Sequence, residues 1–358
     1  MAGVTDQNAS DGHEDLLALE ALKNDFGRVQ QQIGRVVFGQ EQVVQDLLVT
    51  ILGGGHGLLV GVPGLAKTLL IRTLAQAMAM AFKRIQFTPD LMPADVTGTD
   101  VIFENRSSGE REFRFMPGPV FANIVLADEV NRTPPKTQAA LLEAMQEKQV
   151  TIGGTRHTLP HPFFVLATQN PLDQEGTYPL PEAQLDRFMF QIMIGYPSQD
   201  EELEIALSTT STNPAQVDSV IDADTMIRYQ ELVRRLPISQ AVGDYAVRIA
   251  RATRPDSPDA DKQVQKYVRW GAGPRASQYL VLGAKAKAAL MGQPQVRPDD
   301  VAAVAMSVLR HRVRLNFAAE ADGVELEAFL QNLIHQTSVE GKGATRGADQ
   351  LFRSENAG

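Results

Sequence analysis

A glycine-rich run of eight residues, GVPGLAKT at positions 61–68, constrains the fold of this chain more than any other feature. It follows a short apolar run at 56–60 that is typical of a buried strand, and a helical pattern begins at Lys67. A bent backbone between a strand and a helix directs N–H groups at one point, where the helix N-terminus also favours negative charge. The run therefore predicts a phosphate-binding loop, with Lys67 near the outer phosphates and Thr68 holding Mg²⁺.

One residue of this run departs from the general phosphate-loop pattern. Ala66 stands where that pattern has glycine, so the loop must accommodate a Cβ atom at a crowded position. The alternative interpretation is a glycine-rich turn followed by a surface lysine. The order of strand, loop and helix favours the phosphate loop.

Two other apolar runs end in polar side chains. Residues 124–127 precede Asp128 and Glu129, and residues 163–167 precede Thr168, Gln169 and Asn170. Ligands of open α/β sheets bind at the carboxyl ends of the strands. We expect Asp128 to hold Mg²⁺ and Glu129 to polarise a water for attack on the γ-phosphate. Asn170 either holds that water or makes a turn with Pro171, and the spacing leaves both open.

The remaining pattern predicts two domains. Apolar runs at 84–87, 123–127, 163–168 and 189–194 alternate with helical patterns, which indicates a parallel sheet covered on both faces. Two hairpins interrupt it, one at 150–159 and one at 99–115, where Val101 and Phe103 should face Phe113 and Phe115. Only helical patterns follow between 224 and 333. We expect a flexible tail at 1–14, an α/β domain at 15–197, a helical domain at 198–336 and a flexible tail at 337–358.

Composition excludes several classes of function. Lys plus Arg is 34 and Asp plus Glu is 43, for a formal charge of −9, so nonspecific wrapping of nucleic acid is not expected. The absence of cysteine excludes disulfides and thiolate metal sites and fits a cytoplasmic protein. The six histidines show no metal-ligand spacing. No run reaches the roughly 20 apolar residues of a membrane span, so we expect no membrane insertion.

Between about residues 38 and 312 the sequence resembles the MoxR family of AAA+ ATPases. The shared stretches are GVPGLAKT, LADEVNRTPPKTQAALLEAMQE, TIGG, LATQNP, GTYPLPEAQLDRF, GYPS and GPRAS. The family's loop commonly carries alanine where Ala66 stands. The resemblance therefore implies a fold in which a parallel-sheet AAA+ core is followed by an all-helical lid.

The resemblance also implies roles for individual residues. Asn170 matches the first sensor, Arg187 the arginine finger that enters a neighbouring subunit's site, and Arg275 the second sensor at the start of a lid helix. Residues 37–40 match the segment that lines the adenine pocket. The implied ATP site contains Phe38, Gly39, Gly61, Val62, Pro63, Gly64, Leu65, Ala66, Lys67, Thr68 and Leu69.

A finger that acts in trans implies a homo-oligomer, and the family suggests a hexamer. Family members act as chaperones that mature or activate client proteins, often with a von Willebrand factor type A domain partner. Two alternatives stay open: a motor like the magnesium-chelatase subunit or another member of the helix-2-insert clade, and a nucleotide-gated scaffold with little turnover. A GTPase is disfavoured, because the chain has no Asn-Lys-x-Asp motif.

Overall fold

Five short strands form one parallel sheet, as the sequence predicts. The computed structural model describes residues 4–104, 111–172, 176–210, 216–258 and 260–339. Along the sheet the strands follow the order β2-β5-β8-β1-β9. They are β1 (Gly57–Val60), β2 (Phe82–Gln86), β5 (Ile124–Asp128), β8 (Phe164–Gln169) and β9 (Phe190–Met193). β1, β5 and the first five residues of β8 are buried, as expected of strands covered on both faces.

Helices and two hairpins accompany the sheet. The helices are α1 (Val4–Gly34), α2 (Glu41–Leu52), α3 (Lys67–Ala77), α4 (Pro93–Thr97), α5 (Pro135–Glu147), α6 (Glu182–Leu185) and α7 (Gln199–Thr209). The hairpins are β3 (Gly98–Glu104) with β4 (Arg111–Pro117), and β6 (Gln149–Ile152) with β7 (Thr155–Thr158). On one sheet face Ile85, Ala127 and Val165 pack in a cluster with Leu141 of α5. Leu126 and Leu166 on the other face are also buried, and the candidate site lies where the strands end.

His56 ties the start of β1 to two neighbouring elements. Its Nδ1 accepts a hydrogen bond from the Val165 backbone N–H at 3.0 Å, so its Nε2 carries the proton and donates to the Met145 carbonyl at 3.2 Å. Burial lowers the pKa of His56 from its ordinary 6.5 to about 4. The imidazole is therefore a neutral structural group and is not arranged as a metal ligand.

The first hairpin has a different register from the one predicted. Ile102 lies opposite Phe113 and Asp100 opposite Phe115, so the pairing is shifted by one residue and Phe103 lies on the other face from both phenylalanines. The prediction of Val101 and Phe103 opposite them was wrong. Both faces carry exposed apolar side chains here, and such a strand specifies its register weakly. The turn residues 105–110 lie outside the described part of the chain.

The second hairpin forms as predicted, with Gly153 and Gly154 at its turn. Both glycines have positive φ, 54° and 83°, as a tight two-residue turn requires. Phe115 of the first hairpin stacks on His157 of the second, with ring centroids 3.8 Å apart and planes 20° apart. The two hairpins therefore support each other.

The chain divides into two compact units. One holds residues 24–230, and the other holds the residues before 24 together with those after 230. The predicted boundary was at 197–198. The segment after α7 stays with the α/β unit, because the Val220 N–H donates to the Ala77 carbonyl and Gln76 Nε2 donates to the Val217 carbonyl.

In its described residues, the second unit is helical except for one small sheet. Its helices are α8 (Ala223–Arg235), which begins in the other unit, α9 (Gln240–Ala252), α10 (Lys262–Tyr267), α11 (Pro274–Leu290), α12 (Pro298–Leu309), α13 (Phe317–Ala321) and α14 (Leu326–Gln336). The antiparallel strands β10 (Val268–Trp270) and β11 (Arg314–Leu315) were not predicted. Strands of two or three residues are too short to show periodicity. Trp270 on β10 is 63% exposed.

Helix α1 begins at Val4. Residues 4–14, which were expected as part of a flexible tail, therefore form the first part of this helix. The segment contains no proline, and its one glycine, Gly12, costs a helix only about 1 kcal/mol. Most of the predicted C-terminal tail, residues 340–358, lies outside the described residues. Among those described, no helix is long and apolar enough to cross a membrane.

Candidate active site

The loop at 61–68 connects β1 to α3 in the way a phosphate-binding loop requires. Gly61 starts it with its N–H donating to the Gln169 carbonyl of β8 at 3.2 Å. A Cβ at Gly61 would lie 2.7 Å from the Ile194 carbonyl oxygen, so only glycine fits there. The loop therefore leaves the sheet directly beside the end of β8.

Ala66 occupies the position where the general pattern has glycine, and its backbone explains that preference. Its φ is 54° and its ψ is 21°, the left-handed conformation that costs a residue with a Cβ roughly 1–2 kcal/mol. Ala66 is also the N-cap of α3, and it has no side chain that accepts a hydrogen bond from the first turn. The first N–H groups of α3 thus lack a side-chain cap, which suits an anionic ligand.

Lys67 bends back over the loop. Its Nζ donates to the Gly61 carbonyl and, at 3.3 Å, to the Val62 carbonyl. The ammonium group is therefore already held at the loop that it would share with phosphate oxygens. Thr68 follows it in the first turn of α3, half-buried.

Asp128 ends β5 on the sheet face opposite the apolar cluster. It is buried, and both of its oxygens accept hydrogen bonds from neighbouring strands. Thr168 Oγ1 donates to its Oδ1 at 2.6 Å, and Arg84 donates to its Oδ2 from Nε at 3.0 Å and from Nη2 at 2.6 Å. The predicted metal ligand is thus ionically paired in this structure.

Glu129 leaves the strand in a left-handed conformation, with φ 57° and ψ 49°. The turn brings its N–H to Thr168 Oγ1 at 2.8 Å. Its carboxylate is held by Gln86 Nε2 at 2.7 Å and by Arg132 Nη1 at 3.1 Å, both to Oε2. A non-glycine residue in this region stores backbone strain, and such strain is concentrated at functional sites.

Asn170 follows β8 and is buried. Its Oδ1 accepts a hydrogen bond from the Leu172 N–H at 3.1 Å, so the turn predicted as one alternative is present. Parallel pairing aligns Val60 with Gln169, which places Gly61 and Asn170 side by side at the sheet edge. The structure therefore brings the phosphate loop, both acids and Asn170 to one edge of the sheet.

The predicted adenine segment lines a cavity of about 480 Å³ between the end of α1, the start of α2 and α7. Phe38, Gly39 and Glu204 are among the residues that line it. Gly39 has a φ of +66°, and a Cβ there would lie within 2.7 Å of the Glu201 carboxyl group. Leu69, which was also predicted to contact nucleotide, is 38% exposed on α3.

The two predicted arginines lie in different units. Arg187 follows α6, and its Nη1 donates to the Leu142 carbonyl of α5 at 2.7 Å. It lines a polar cleft of about 500 Å³ together with Arg156 and Glu143. Arg275 is in the first turn of α11, half-buried, in the helical unit.

The sequence analysis did not predict the contacts that four residues make with the two acids: Arg84, Gln86, Arg132 and Thr168. Thr168 was visible as a polar residue at a strand end, but its bond to Asp128 depends on β5 and β8 being neighbours. Arg84 and Gln86 alternate with buried Ile85 on β2, so their shared face was readable. Which strand they would face was not readable without the sheet order.

The parallel-sheet core and the helical unit are the architecture of the AAA+ class, and comparisons with known proteins agree. A family described as an ATPase family associated with various cellular activities (AAA) matches residues 56–190, and an AAA lid domain matches residues 260–333.

Individual relatives narrow the family. Chaperone MoxR1 of Mycobacterium tuberculosis is 43% identical over 308 residues, which cover 86% of this chain and 80% of that protein. The uncharacterised protein YeaC of Bacillus subtilis is 42% identical over 315 residues, 88% of this chain and 94% of that protein. A crystal structure of an ATPase candidate from Cytophaga hutchinsonii superposes with a TM-score of 0.84 at 42% identity, over 92% of this chain and 98% of that one. The chain belongs to the MoxR family of AAA+ ATPases.

Proposed function

We propose that this protein binds and hydrolyses ATP at the carboxyl edge of its sheet. The proposal depends on one observation. The loop that contains Lys67 and the adjacent acids Asp128 and Glu129 lie together at this edge. A phosphate-binding loop beside two acids at a strand end is the arrangement that phosphoryl transfer to water uses.

The protein residues divide the work as follows. The loop backbone, the uncapped N-terminus of α3 and Lys67 bind the phosphates. Glu129 polarises the attacking water and accepts its proton, and Asn170 orients that water. Arg187 from a neighbouring subunit and Arg275 from the helical unit stabilise the spread-out charge of the phosphoryl group. Phe38 and Gly39 line the site of the adenine.

The donor set suits Mg²⁺. Thr68 offers a hydroxyl and Asp128 a carboxylate, the hard oxygen ligands that this ion prefers. When bound, the ion neutralises charge on the phosphates and on the leaving group. In the structure, Arg84 donates two hydrogen bonds to Asp128.

Beyond the chemistry, we propose a homo-oligomeric ring, most simply a hexamer, that acts as a chaperone on client proteins. The relative from M. tuberculosis carries the name chaperone. A ring supplies the neighbour that Arg187 requires, since Arg187 lies against α5 of its own chain. A partner with a von Willebrand factor type A domain belongs to the same proposal, on the family resemblance.

Two substitutions test the chemistry. Lys67→Ala removes the main positive charge at the phosphates and should abolish most ATP binding in isothermal titration. Glu129→Gln keeps the shape of the side chain and leaves the phosphate-binding loop unchanged, so it should bind ATP normally. It should hydrolyse ATP at least about a hundredfold more slowly, the scale expected for loss of a general base. Unchanged affinity in Lys67→Ala would refute the phosphate-loop assignment, and near-normal turnover in Glu129→Gln would place the base elsewhere.

A further inference from the structure

Arg84 occupies most of the metal-binding capacity of Asp128. A carboxylate offers about four lone-pair positions. Arg84 takes two of them on Oδ2 through Nε and Nη2, and Thr168 takes one on Oδ1. A cation that approaches Asp128 therefore meets a carboxylate with one oxygen already filled.

The Arg84–Asp128 ion pair is positioned so that a metal ion can replace Arg84 on the carboxylate. The side chain of Asp128 is 10% exposed, so its charge needs compensation when no metal is present. The side chain of Arg84 is 47% exposed and reaches Asp128 from the neighbouring strand β2. Two cations on one carboxylate repel each other, and the half-exposed guanidinium is the one with a short route to solvent.

The same guanidinium also bears on the second acid. Arg84 Nη2 contacts the side-chain amide of Gln86, and because a guanidinium only donates, the atom it contacts is the oxygen. The amide nitrogen of Gln86 is thereby turned toward Glu129, to which it donates at 2.7 Å. Movement of Arg84 away from Asp128 removes the contact that fixes this amide.

We propose that Arg84 is a positioning residue that competes with Mg²⁺ for Asp128. It compensates the buried carboxylate before metal and nucleotide arrive, and it yields Oδ2 when they bind. The inference rests on the proposed function, because it takes Asp128 to be a ligand of nucleotide-bound Mg²⁺.

The test is a Mg²⁺ titration of nucleotide binding in the full-length protein. A fluorescent ADP analogue is bound first in the presence of a chelator, and its fluorescence is then followed as free Mg²⁺ rises. Arg84→Gln removes the competitor and should lower the midpoint of the Mg²⁺ dependence by about fivefold, the upper end for a part-exposed ion pair. Arg84→Lys keeps the charge but not the two-donor grip, so its midpoint should fall between that of Arg84→Gln and that of the wild type.

Two matched controls separate competition from general effects. Arg132→Gln breaks a contact with Glu129 while it leaves both partners of the Arg84 guanidinium in place, so its midpoint should match the wild type. Arg28→Gln removes an arginine that pairs with Asp25 at 3.3 Å on α1 of the same unit, and it should also leave the midpoint unchanged. Circular dichroism confirms that each variant is folded, and Arg84→Lys decides the question if Arg84→Gln is not.

The outcomes distinguish the two proposals. If the wild type binds the analogue but the Arg84 variants show an unchanged or higher midpoint, competition at Asp128 is refuted and the ATPase proposal stands. If the wild type binds no nucleotide at all, both proposals fail. An equal shift in Arg132→Gln would also overturn the inference, since it would assign the effect to Glu129.

Discussion

At the scale of single residues, Thr168 shows how one hydroxyl group organises this site. It donates to Asp128 and accepts from the N–H of Glu129, so it fixes both acids with the two roles a hydroxyl can play at once. Thr168 is fully buried, and its partner Asp128 is buried as well. Thr168 has no proposed contact with ligand, but it fixes the geometry of Asp128 and Glu129, which are proposed to act on the ligand.

We expect Thr168→Val to destabilise the α/β unit by about 1–3 kcal/mol, because it leaves a buried carboxylate oxygen and a backbone N–H without their partner in a side chain of the same shape. Urea unfolding measures the loss. Thr168→Ser keeps the hydroxyl and should recover most of it. Equal destabilisation by Ser and Val would mean that the methyl group matters and the hydroxyl does not.

His56 gives a second residue-scale prediction, on pH. Its folded pKa of about 4 lies below the ordinary 6.5, so the unfolded chain binds the proton more readily. The stability that the neutral imidazole contributes is therefore complete above pH 6.5 and is lost as the pH falls toward 4. From pH 8 to pH 5 the loss should be about 2 kcal/mol.

His56→Gln is the matched variant for this measurement, since an amide can donate to Met145 and accept from Val165 without titrating. Thermal unfolding of the variant should depend less on pH over the same range than that of the wild type. Parallel curves for the two proteins would assign the acid sensitivity to other groups.

At the scale of elements, the two hairpins form one substructure because Phe115 stacks on His157. Phe113, two residues earlier on the same strand face, is 77% exposed. On this face of β4, Phe115 is packed against the second hairpin, and Phe113, nearer the turn, is exposed. The two phenylalanines offer a comparison in which residue type, strand and face are all matched.

Phe115→Leu should loosen the first hairpin from the second, because an aromatic pair contributes about 0.5–1.5 kcal/mol beyond its buried area. Amide hydrogen exchange along β3 and β4 should become up to about tenfold faster. Phe113→Leu should leave the exchange unchanged. The same acceleration in both variants would show that the stacking does not hold the hairpins together.

Sequence patterns predicted the strands of the sheet and the glycine turn of the second hairpin, and failed at the register of the first hairpin. The apolar runs were predicted as the buried strands β1, β5 and β8, and Gly153–Gly154 was predicted as a hairpin turn. The register of the first hairpin was missed because Ile102, Phe103 and Phe113 are all exposed, so no face was favoured. In the site, Asp128 and Lys67 follow from position on one strand or loop. The Arg84–Asp128 contact needs two strands to be neighbours, which no local pattern reveals.

At the scale of the whole molecule, the two compact units share helices. The division falls within α1 and within α8, so each of these helices contributes residues to both units. Arg187 belongs to the α/β unit and Arg275 to the helical unit. The proposed function gives both arginines a role in ATP hydrolysis, and for Arg187 it requires a second copy of the chain.

Mixing two inactive variants tests that last requirement. Arg187→Ala and Glu129→Gln should each be nearly inactive alone, since an arginine finger contributes a factor of about 10³ or more. In mixed rings some interfaces pair an intact Glu129 with an intact Arg187, so phosphate release should partly return. Differential tags confirm co-assembly. Mixed rings that remain silent would remove Arg187 from the catalytic residues and weaken the case for an obligate oligomer.

The place of Trp270 on β10 turns the chain into its own optical reporter. It is the single tryptophan in the sequence, it lies in the helical unit, and it is 63% exposed. Intrinsic tryptophan emission thus samples that unit alone, whereas far-ultraviolet circular dichroism sums over both. Different unfolding midpoints by the two methods would then show that the units unfold separately, without a label and without cutting the chain.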